Sequence, residues 1–161
     1  MKIKPDSRLL GLLRHGKAED SASSDAERML TRRGQQQAQS VAEKIVRWID
    51  TQGIDHERIV ICHSPYQRAV ETAIPLISLL GSATVKTLTY ILPESPPRQV
   101  LSRLQDLADA SPRQHFIIVS HMPLLAGLCA LFESGDLHEA RGLETAECRM
   151  LEGRLLIESG M

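Results

Sequence analysis

The sequence has 161 residues, of which 42% are hydrophobic and 24% charged, as expected for one globular domain rather than a disordered or fibrous chain. A net charge of -1 gives no general attraction to nucleic acid or anionic lipid. An aromatic content of only 3% argues against a base-stacking platform for single-stranded nucleic acid. We therefore expect a single domain over residues 1–161 that binds neither nucleic acid nor a membrane.

The first predicted element is a strand at residues 9–13. This run is continuously apolar, as in strands that are buried on both faces. The tripeptide Arg14-His15-Gly16 ends it. The polar residues 17–28 then predict a surface loop, which we place near the functional site.

A helix is predicted after this loop. Thr31 is a favourable cap residue, apolar side chains follow at spacings of three and four as far as Ile49, and Gly53 stands where a helix stop belongs. The apolar run 58–62 predicts a second buried strand.

The second helix is predicted to begin at Ser64. Ser64 as the cap, Pro65 at the first helical position and Gln67 three residues after the cap would form a capping box. We expect this helix to run to about Leu80 with a kink at Pro75.

The remaining chain continues the alternation. Residues 85–92 predict a third strand, and Ser95 opens a third helix. Residues 116–120 predict a fourth strand, and Pro123 starts a short helix. Four alternating strands and helices predict an α/β domain with a mostly parallel sheet and helices on both faces.

The C-terminal residues predict a hairpin. Its strands would lie at 148–151 and 154–157, with a turn at Glu152-Gly153.

Polar side chains follow each predicted strand of the sheet. Because ligands in open α/β sheets bind outside the carboxyl ends of the strands, we expect these side chains to lie at one edge. In chain order they are Arg14, His15, His63, Arg68, Glu94 and His121. The set is strongly cationic in a protein of nearly zero net charge.

This set suits a phosphoryl group. Arginine forks bind phosphate oxygens bidentately, and Arg68 is also predicted in the first turn of a helix, where backbone N–H groups favour anions. An imidazole with one nitrogen free and the other held by a backbone carbonyl is a competent nucleophile toward phosphorus. From the residues alone, the sequence predicts a phosphate or carboxylate site of unstated activity.

Several segments, in this order, resemble the motifs of the histidine phosphatase superfamily, which has the phosphoglycerate mutase-like fold. They are Leu13 to Gly16 after a buried strand, Leu30-Thr31 with Gly34, Ser64 to Ala69 followed by Glu71-Thr72, and Ser120 to Pro123. Within this superfamily the chain most resembles the short branch of the phosphohistidine phosphatase SixA type. Asp25 to Arg28 are similar to that branch's loop, although the branch usually has proline where Met29 stands.

The resemblance implies a role for each candidate residue. His15 would be the nucleophile, Arg14 and Arg68 would clamp the phosphate, and His121 would be the second histidine on the phosphate. Arg28 is implied as a further phosphate-binding residue, and Glu94 stands near the place of an acid that protonates the leaving oxygen in larger members. No metal and no cofactor are implied.

The resemblance therefore implies a metal-independent protein phosphohistidine phosphatase with a phosphohistidine intermediate on His15. One strand–helix unit fills nearly all of the chain between Arg68 and His121, which leaves no room for a lid. A shallow, open site suits a phosphorylated protein, such as a histidine phosphotransfer domain or a phosphocarrier.

Three alternatives stay open. The first is a phosphatase of small phosphate esters in the same superfamily. The second is a metallohydrolase that uses His15, His63 and His121, against which stand the lack of HxH or HExxH spacing and the repulsion between arginines and a cation. The third is a phosphate-binding module without catalysis.

The cellular location is predicted from the N-terminus and the cysteines. The first apolar run is too short for a signal peptide or a membrane span. Cys62, Cys129 and Cys148 are far apart and lie among apolar neighbours, as thiols of a reducing compartment do. We expect a cytoplasmic protein and take a monomer as its simplest oligomeric state.

Overall fold

The computed structural model describes residues 3–4 and 7–153, which form one α/β domain around a five-stranded sheet. The strands of this part of the chain are β1 (Arg8–Arg14), β2 (Ile59–His63), β3 (Thr84–Thr87), β4 (His115–Ser120) and β5 (Cys148–Gly153). Their order across the sheet is β3-β2-β4-β1-β5. All neighbours pair in parallel except β1 and β5, which confirms the predicted mostly parallel sheet.

The helices in the described residues cover both faces of this sheet. They are α1 (Arg32–Gln52), α2 (Gln67–Leu79), α3 (Pro97–Ala110) and α4 (Leu124–Glu133), with short 3-10 turns at Asp25–Glu27, His56–Arg58 and Leu137–Glu139. No helix within residues 3–4 and 7–153 combines the length and apolar character that crossing a bilayer requires.

The apolar run of β1 is continuous because the strand is buried from both sides. Leu9 and Leu13 pack with α1 and α2 in one cluster, whereas Leu10 and Leu12 pack with α3 and α4 in the other. Successive side chains of a strand point to opposite faces, so each face of β1 needs its own apolar set. Helices on both faces are thus confirmed.

The beginning of α1 is as predicted. The side chain of Thr31 accepts a hydrogen bond from the Gly34 N–H at 3.0 Å, which satisfies one of the donors left free at a helix start. Gly53 has a φ of 73°, a left-handed conformation that glycine adopts without steric cost.

The predicted start of α2 is wrong. The helix begins at Gln67 with Tyr66 in the cap position, and the Ser64 hydroxyl does not form a capping box. Its Oγ lies instead 2.7 Å from Nε2 of His121. The hydroxyl therefore contacts a residue distant in sequence instead of capping the helix, as the local pattern predicted. Pro75 lies inside α2, as expected.

Two further predictions about strands are corrected. β3 ends at Thr87 rather than at residue 92, since the apolar residues beyond it are buried in turns: Leu88 is 8% exposed and Ile91 fully buried. β5 continues straight through Glu152 and Gly153, which pair with Leu9 and Arg8 of β1, so no hairpin turn forms there. The predicted second strand of that hairpin, 154–157, lies outside the described residues.

The strand order brings three strand ends together. β4 lies between β1 and β2, and the residues that follow them continue the pairing: the N–H of His15 donates to the Ser120 carbonyl at 3.1 Å. The N–H of Ser64 donates to the Val119 carbonyl at 3.0 Å. The segments that carry the candidate residues are therefore held side by side by backbone hydrogen bonds.

Candidate active site

His15 stands directly after β1, and the residue is 8% exposed. Its Nδ1 lies 2.7 Å from the carbonyl oxygen of Gly16. A carbonyl only accepts, so Nδ1 carries the proton and Nε2 presents a lone pair. This is the arrangement that a nucleophilic imidazole requires.

The charge state of His15 fits the same role. Burial lowers its pKa to about 4, and although the hydrogen bond to Gly16 opposes this, the nearby guanidinium groups of Arg68 and Arg14 lower it further. The ring is therefore neutral at neutral pH, and Nε2 keeps the unprotonated lone pair that attack on an electrophile requires.

Arg68 lies beside the nucleophilic nitrogen. Its Nε donates to His15 Nε2 at 3.3 Å, and the residue is only 3% exposed. The other guanidinium nitrogens are held by Asp25: Nη1 donates to the backbone carbonyl at 2.7 Å and Nη2 to Oδ2 at 3.1 Å. The loop thus orients the guanidinium so that its Nε side faces His15.

Arg28 reaches the site through the same carboxylate. Its Nε donates to Asp25 Oδ1 at 2.9 Å, and its Nη1 donates to the Glu19 carbonyl at 2.9 Å. Partial desolvation raises the pKa of Asp25, but hydrogen bonds from Arg28 and Arg68 outweigh it and bring that pKa below its ordinary value. Asp25, an aspartate in the predicted loop, is a site residue that sequence reasoning did not assign.

His121 faces His15 from the end of β4. The ring centroids lie 5.3 Å apart at an interplanar angle of 59°, and His121 is 1% exposed. Burial lowers its pKa to about 3, and the adjacent His15 and Arg68 contribute to the decrease. Nε2 contacts the Ser64 hydroxyl, whereas Nδ1 is buried without a hydrogen-bond partner in the described part of the chain.

Arg14 also has an unsatisfied donor. Its Nη1 donates to the Leu143 carbonyl at 2.7 Å, but its Nε is buried without a partner among the described residues. A third such atom, Nε2 of His115, lies at the amino end of β4, away from this edge. Buried polar groups are rarely left unpaired, because each costs free energy. An anion with several oxygens bound beside His15 could satisfy both Arg14 and His121.

The turn at Gly16 is fixed from two sides. Its N–H donates to Thr72 Oγ1 at 3.0 Å, and the same hydroxyl donates to the Arg68 carbonyl at 2.7 Å, which ties the turn to α2. On the other side, a Cβ on Gly16 would lie 2.6 Å from the Gly34 carbonyl oxygen. The turn that holds Nδ1 of His15 therefore needs glycine, because α1 approaches too closely for any side chain.

Tyr66 is a further neighbour of the site that the sequence did not indicate. Its ring lies edge-on to His121 with centroids 5.2 Å apart, and the Arg68 guanidinium lies 5.1 Å from its centroid. It belongs to the segment that carries Ser64 and Arg68, but only the backbone turn before α2 places it against both.

Two candidates lie apart from this group. His63 Nδ1 lies 3.0 Å from the Ser64 carbonyl oxygen and its Nε2 lies 3.4 Å from Thr87 Oγ1, so this ring is engaged toward β3. Glu94 is exposed in the turn before α3, and its side chain has no hydrogen bond or ion pair within residues 3–4 and 7–153. In the same residues no three His, Cys, Asp or Glu side chains are grouped as metal ligands.

A known family model matches half of this chain. The family model of the histidine phosphatase superfamily (branch 1) matches residues 10–90, which is half of the chain and includes His15, Asp25, Arg28 and Arg68. No curated protein sequence matches this chain significantly.

Solved structures resemble the whole domain. The protein histidine phosphatase SixA, solved with tungstate, has a TM-score of 0.68 at 24% identity, covering 88% of this chain and 86% of its own. A candidate phosphohistidine phosphatase SixA from Agrobacterium tumefaciens has a TM-score of 0.72 at 21% identity, covering 91% and 92%. A mycobacterial glucosyl-3-phosphoglycerate phosphatase has a TM-score of 0.66 at 19% identity, covering 91% of both chains. At these identities the likeness establishes the fold.

Proposed function

The chain belongs to the histidine phosphatase superfamily, and we propose that it is a phosphatase that takes a phosphoryl group onto His15 and then transfers it to water. One observation carries the proposal. The lone pair of His15 Nε2 lies beside the Arg68 guanidinium, 3.3 Å away, in a site where Arg14 and His121 each have a buried polar atom without a partner in the described residues.

In the first step, Nε2 of His15 attacks phosphorus. The Nε2–P bond forms as the bond from phosphorus to the leaving atom breaks. The leaving group keeps the bonding electron pair and takes up a proton from solvent. The imidazole becomes cationic, and the hydrogen bond from Nδ1 to the Gly16 carbonyl, at 2.7 Å, stabilises that charge. In the second step, water attacks phosphorus and loses a proton to solvent. The P–N bond breaks, its electron pair returns to Nε2, and neutral His15 and inorganic phosphate are the products.

The remaining residues stabilise charge on the phosphoryl oxygens. Arg68 has N–H groups beside Nε2 of His15, and Arg14 and His121 supply the donors that protein groups leave unsatisfied. Fixed donors at a transferring phosphoryl group are a major source of rate acceleration. Arg28 acts with Asp25 at the edge of the site and adds positive potential there. No step in this mechanism requires a metal.

Within this activity, we propose phosphohistidine on a protein as the substrate. Its leaving group is an imidazole with an ordinary pKa of about 6.5, which can depart already protonated, so a general acid is less important than for an alkoxide. The exposed position of Glu94 fits this chemistry. Between α2 and β4 the chain forms only β3, α3 and their connections, so a protein surface can approach, for example a histidine phosphotransfer domain or phosphocarrier. The three free cysteines favour a cytoplasmic location.

The test compares parent protein with the His15→Ala variant on a phosphohistidine protein substrate, with a chelator present. We expect the parent to turn over and the variant to show none. His56→Ala is the matched control, since His56 is a histidine paired with Asp50 at the opposite end of β2. Quenching in alkaline denaturant, where phosphohistidine persists, should trap the phosphoenzyme in the parent and in the His56→Ala control but not in the His15→Ala variant. Equal turnover by the His15→Ala variant would refute the proposal.

A second candidate substrate class is small phosphate esters. The structural similarity to a mycobacterial glucosyl-3-phosphoglycerate phosphatase, whose name indicates a small phosphate ester, favours testing this class. Measuring kcat/KM for phosphohistidine protein and for a panel of sugar phosphates separates the two. Higher values for a sugar phosphate would assign this site to the second class while leaving the role of His15 intact.

A further inference from the structure

The Ser64 hydroxyl is fully buried against the ring of His121. Its Oγ lies 2.7 Å from Nε2 of that ring, and the N–H of Tyr66 donates to the same Oγ at 3.2 Å. Because α2 begins at Gln67 with Tyr66 in the cap position, this hydroxyl does not cap the helix. These two contacts determine the direction of the hydrogen bond between Ser64 and His121.

A serine hydroxyl has one hydrogen and two lone pairs. The Tyr66 N–H occupies one lone pair. If His121 Nε2 also donated, the hydroxyl hydrogen would be buried with no acceptor among the described residues, at a cost of free energy. The arrangement that satisfies every group has Ser64 donating to Nε2 of His121.

This direction determines the tautomer of the ring. A neutral imidazole has a single N–H, so when Nε2 accepts, Nδ1 must carry the hydrogen. Nδ1 is the buried atom for which the described residues provide no partner, in a ring 5.3 Å from that of His15. The unsatisfied atom is therefore an N–H donor rather than a lone pair.

We propose that Ser64 is a positioning residue that holds His121 in the Nδ1–H tautomer, so that an uncharged His121 donates a hydrogen bond to the phosphoryl group. The inference rests on the proposed function. In water, histidine favours the Nε2–H tautomer. Without the serine hydroxyl, the ring would turn a lone pair toward the phosphoryl oxygens and repel them.

The kinetic consequence follows from the loss of a fixed donor. Removing one donor that stabilises developing charge lowers kcat by about 10²–10³-fold in well-studied enzymes. In the Ser64→Ala variant without substrate the proton lies on Nε2, but bound phosphoryl oxygens favour an N–H on Nδ1 and restore the donor in part of the molecules. We therefore expect kcat to fall about 10- to 100-fold while KM changes little.

The tautomer can be read directly by nitrogen NMR of protein labelled at the histidine ring nitrogens. We expect Nδ1 of His121 to be protonated in the parent and Nε2 to be unprotonated, with the His121→Gln variant identifying the signals. In the Ser64→Ala variant the proton should move to Nε2. Ser64→Thr keeps a hydroxyl and should restore the parent pattern and kcat.

Ser120→Ala is the matched control. Ser120 is also a fully buried serine, but its hydroxyl donates to the Ile91 carbonyl at 2.7 Å rather than to a ring. This variant should keep the parent tautomer. A parent protein with the proton on Nε2 of His121 would overturn the proposal, as would a Ser64→Ala variant with unchanged tautomer and kcat.

The parent tautomer is measured without substrate and without any change at Ser64, so a variant that fails to fold leaves the test intact. It also separates the two proposals. Equal turnover by the His15→Ala variant would refute the proposed reaction. A proton on Nε2 of His121 in the parent would refute only the proposed role of Ser64.

Discussion

His15 and His121 have the same side chain but use opposite ring nitrogens. Nδ1 of His15 donates to a carbonyl, so its Nε2 presents a lone pair beside Arg68. Nε2 of His121 contacts a hydroxyl, and its Nδ1 has no partner among the described residues. Burial lowers the pKa of both, to about 4 and about 3, so neither is charged at neutral pH. Which ring provides the nucleophile and which provides the donor therefore depends on the group that is hydrogen-bonded to its other nitrogen.

Asp25 gives the cationic site an internal anion. Its side chain is 57% exposed, yet it pairs with both Arg28 and the buried Arg68. The Arg28 guanidinium is therefore already paired with a carboxylate, at 2.9 Å, and its contact with phosphate stays a proposal. Asp25 sets the orientation of Arg68 at little electrostatic cost, because it faces solvent.

Glu94 is the residue whose role depends most on the substrate. We predict that Glu94→Gln lowers kcat for a sugar phosphate about 100-fold, the lower end of the contribution of a general acid. It should change kcat for phosphohistidine by less than about 3-fold, because an imidazole with a pKa of about 6.5 can leave already protonated. Parallel steady-state rates on the two substrates provide the measurement. Equal losses on both would contradict the leaving-group argument, and no loss on either would make Glu94 a surface carboxylate.

At the scale of elements, the site depends on how closely α1 approaches the turn after β1. A Cβ on Gly34, in the first turn of α1, would collide with the Lys17 carbonyl oxygen, and one on Gly16 would lie 2.6 Å from the Gly34 carbonyl oxygen. Both contacts are with backbone, which cannot rotate away as a side chain can. The helix and the turn are therefore packed backbone against backbone.

We predict that Gly34→Ala lowers the free energy of unfolding by about 1–3 kcal/mol, the usual cost of overpacking, and reduces kcat because the turn that holds His15 must shift. Urea unfolding and steady-state kinetics measure the two effects. Gly81→Ala is the control: a Cβ there meets nothing within 4 Å, so stability should change by less than about 0.5 kcal/mol. Unchanged stability of Gly34→Ala would show that α1 is free to move.

At the scale of the whole molecule, burial on both faces of the sheet also encloses histidines. His115, at the amino end of β4, is 1% exposed and accepts a hydrogen bond from the Leu9 N–H at Nδ1, 3.0 Å away. Burial lowers its pKa to about 4, and Arg58 and Arg8 contribute. With His15 and His121, three histidines resist protonation in the folded state.

These histidines predict loss of stability in acid. Between pH 6.5, the ordinary histidine pKa, and about 4, the unfolded chain binds protons that the folded protein does not, so stability falls as pH decreases across this window. His115→Asn keeps an acceptor for the Leu9 N–H but does not titrate. Its unfolding should therefore take up about one proton fewer near pH 5.5, measured from urea unfolding at several pH values. An unchanged pH slope would show that His115 titrates normally.

Much of the architecture was predictable because it depends on local pattern. Continuous apolar runs mark strands buried on both faces, as in β1, and the spacing after Thr31 marks the buried face of α1. Since parallel strands place their carboxyl ends at one edge, the sequence also brought Arg14, His15, Arg68 and His121 to a common site. The structure places these four together.

The errors occurred where tertiary contacts replaced local ones. Ser64 has the pattern of a helix cap, but its hydroxyl contacts His121, which is 57 residues away in sequence. Residues 88–92 are apolar like a strand, but Leu88 and Ile91 are buried from turns, and β5 continues past its predicted turn because β1 extends alongside it. An apolar side chain can be buried from a strand or from a turn, so the apolar pattern of the sequence does not determine the backbone conformation.

By itself, the sequence determined the α/β class, the strands and helices of regular period, and the residue types at the sheet edge, because these follow from the alternation of apolar and polar side chains and from chain direction. Only the tertiary structure decided which ring nitrogen of each histidine is free, that Asp25 orients Arg68, and that Ser64 and Tyr66 border His121. Hydrogen bonds between distant residues have angstrom-scale requirements that no local pattern encodes.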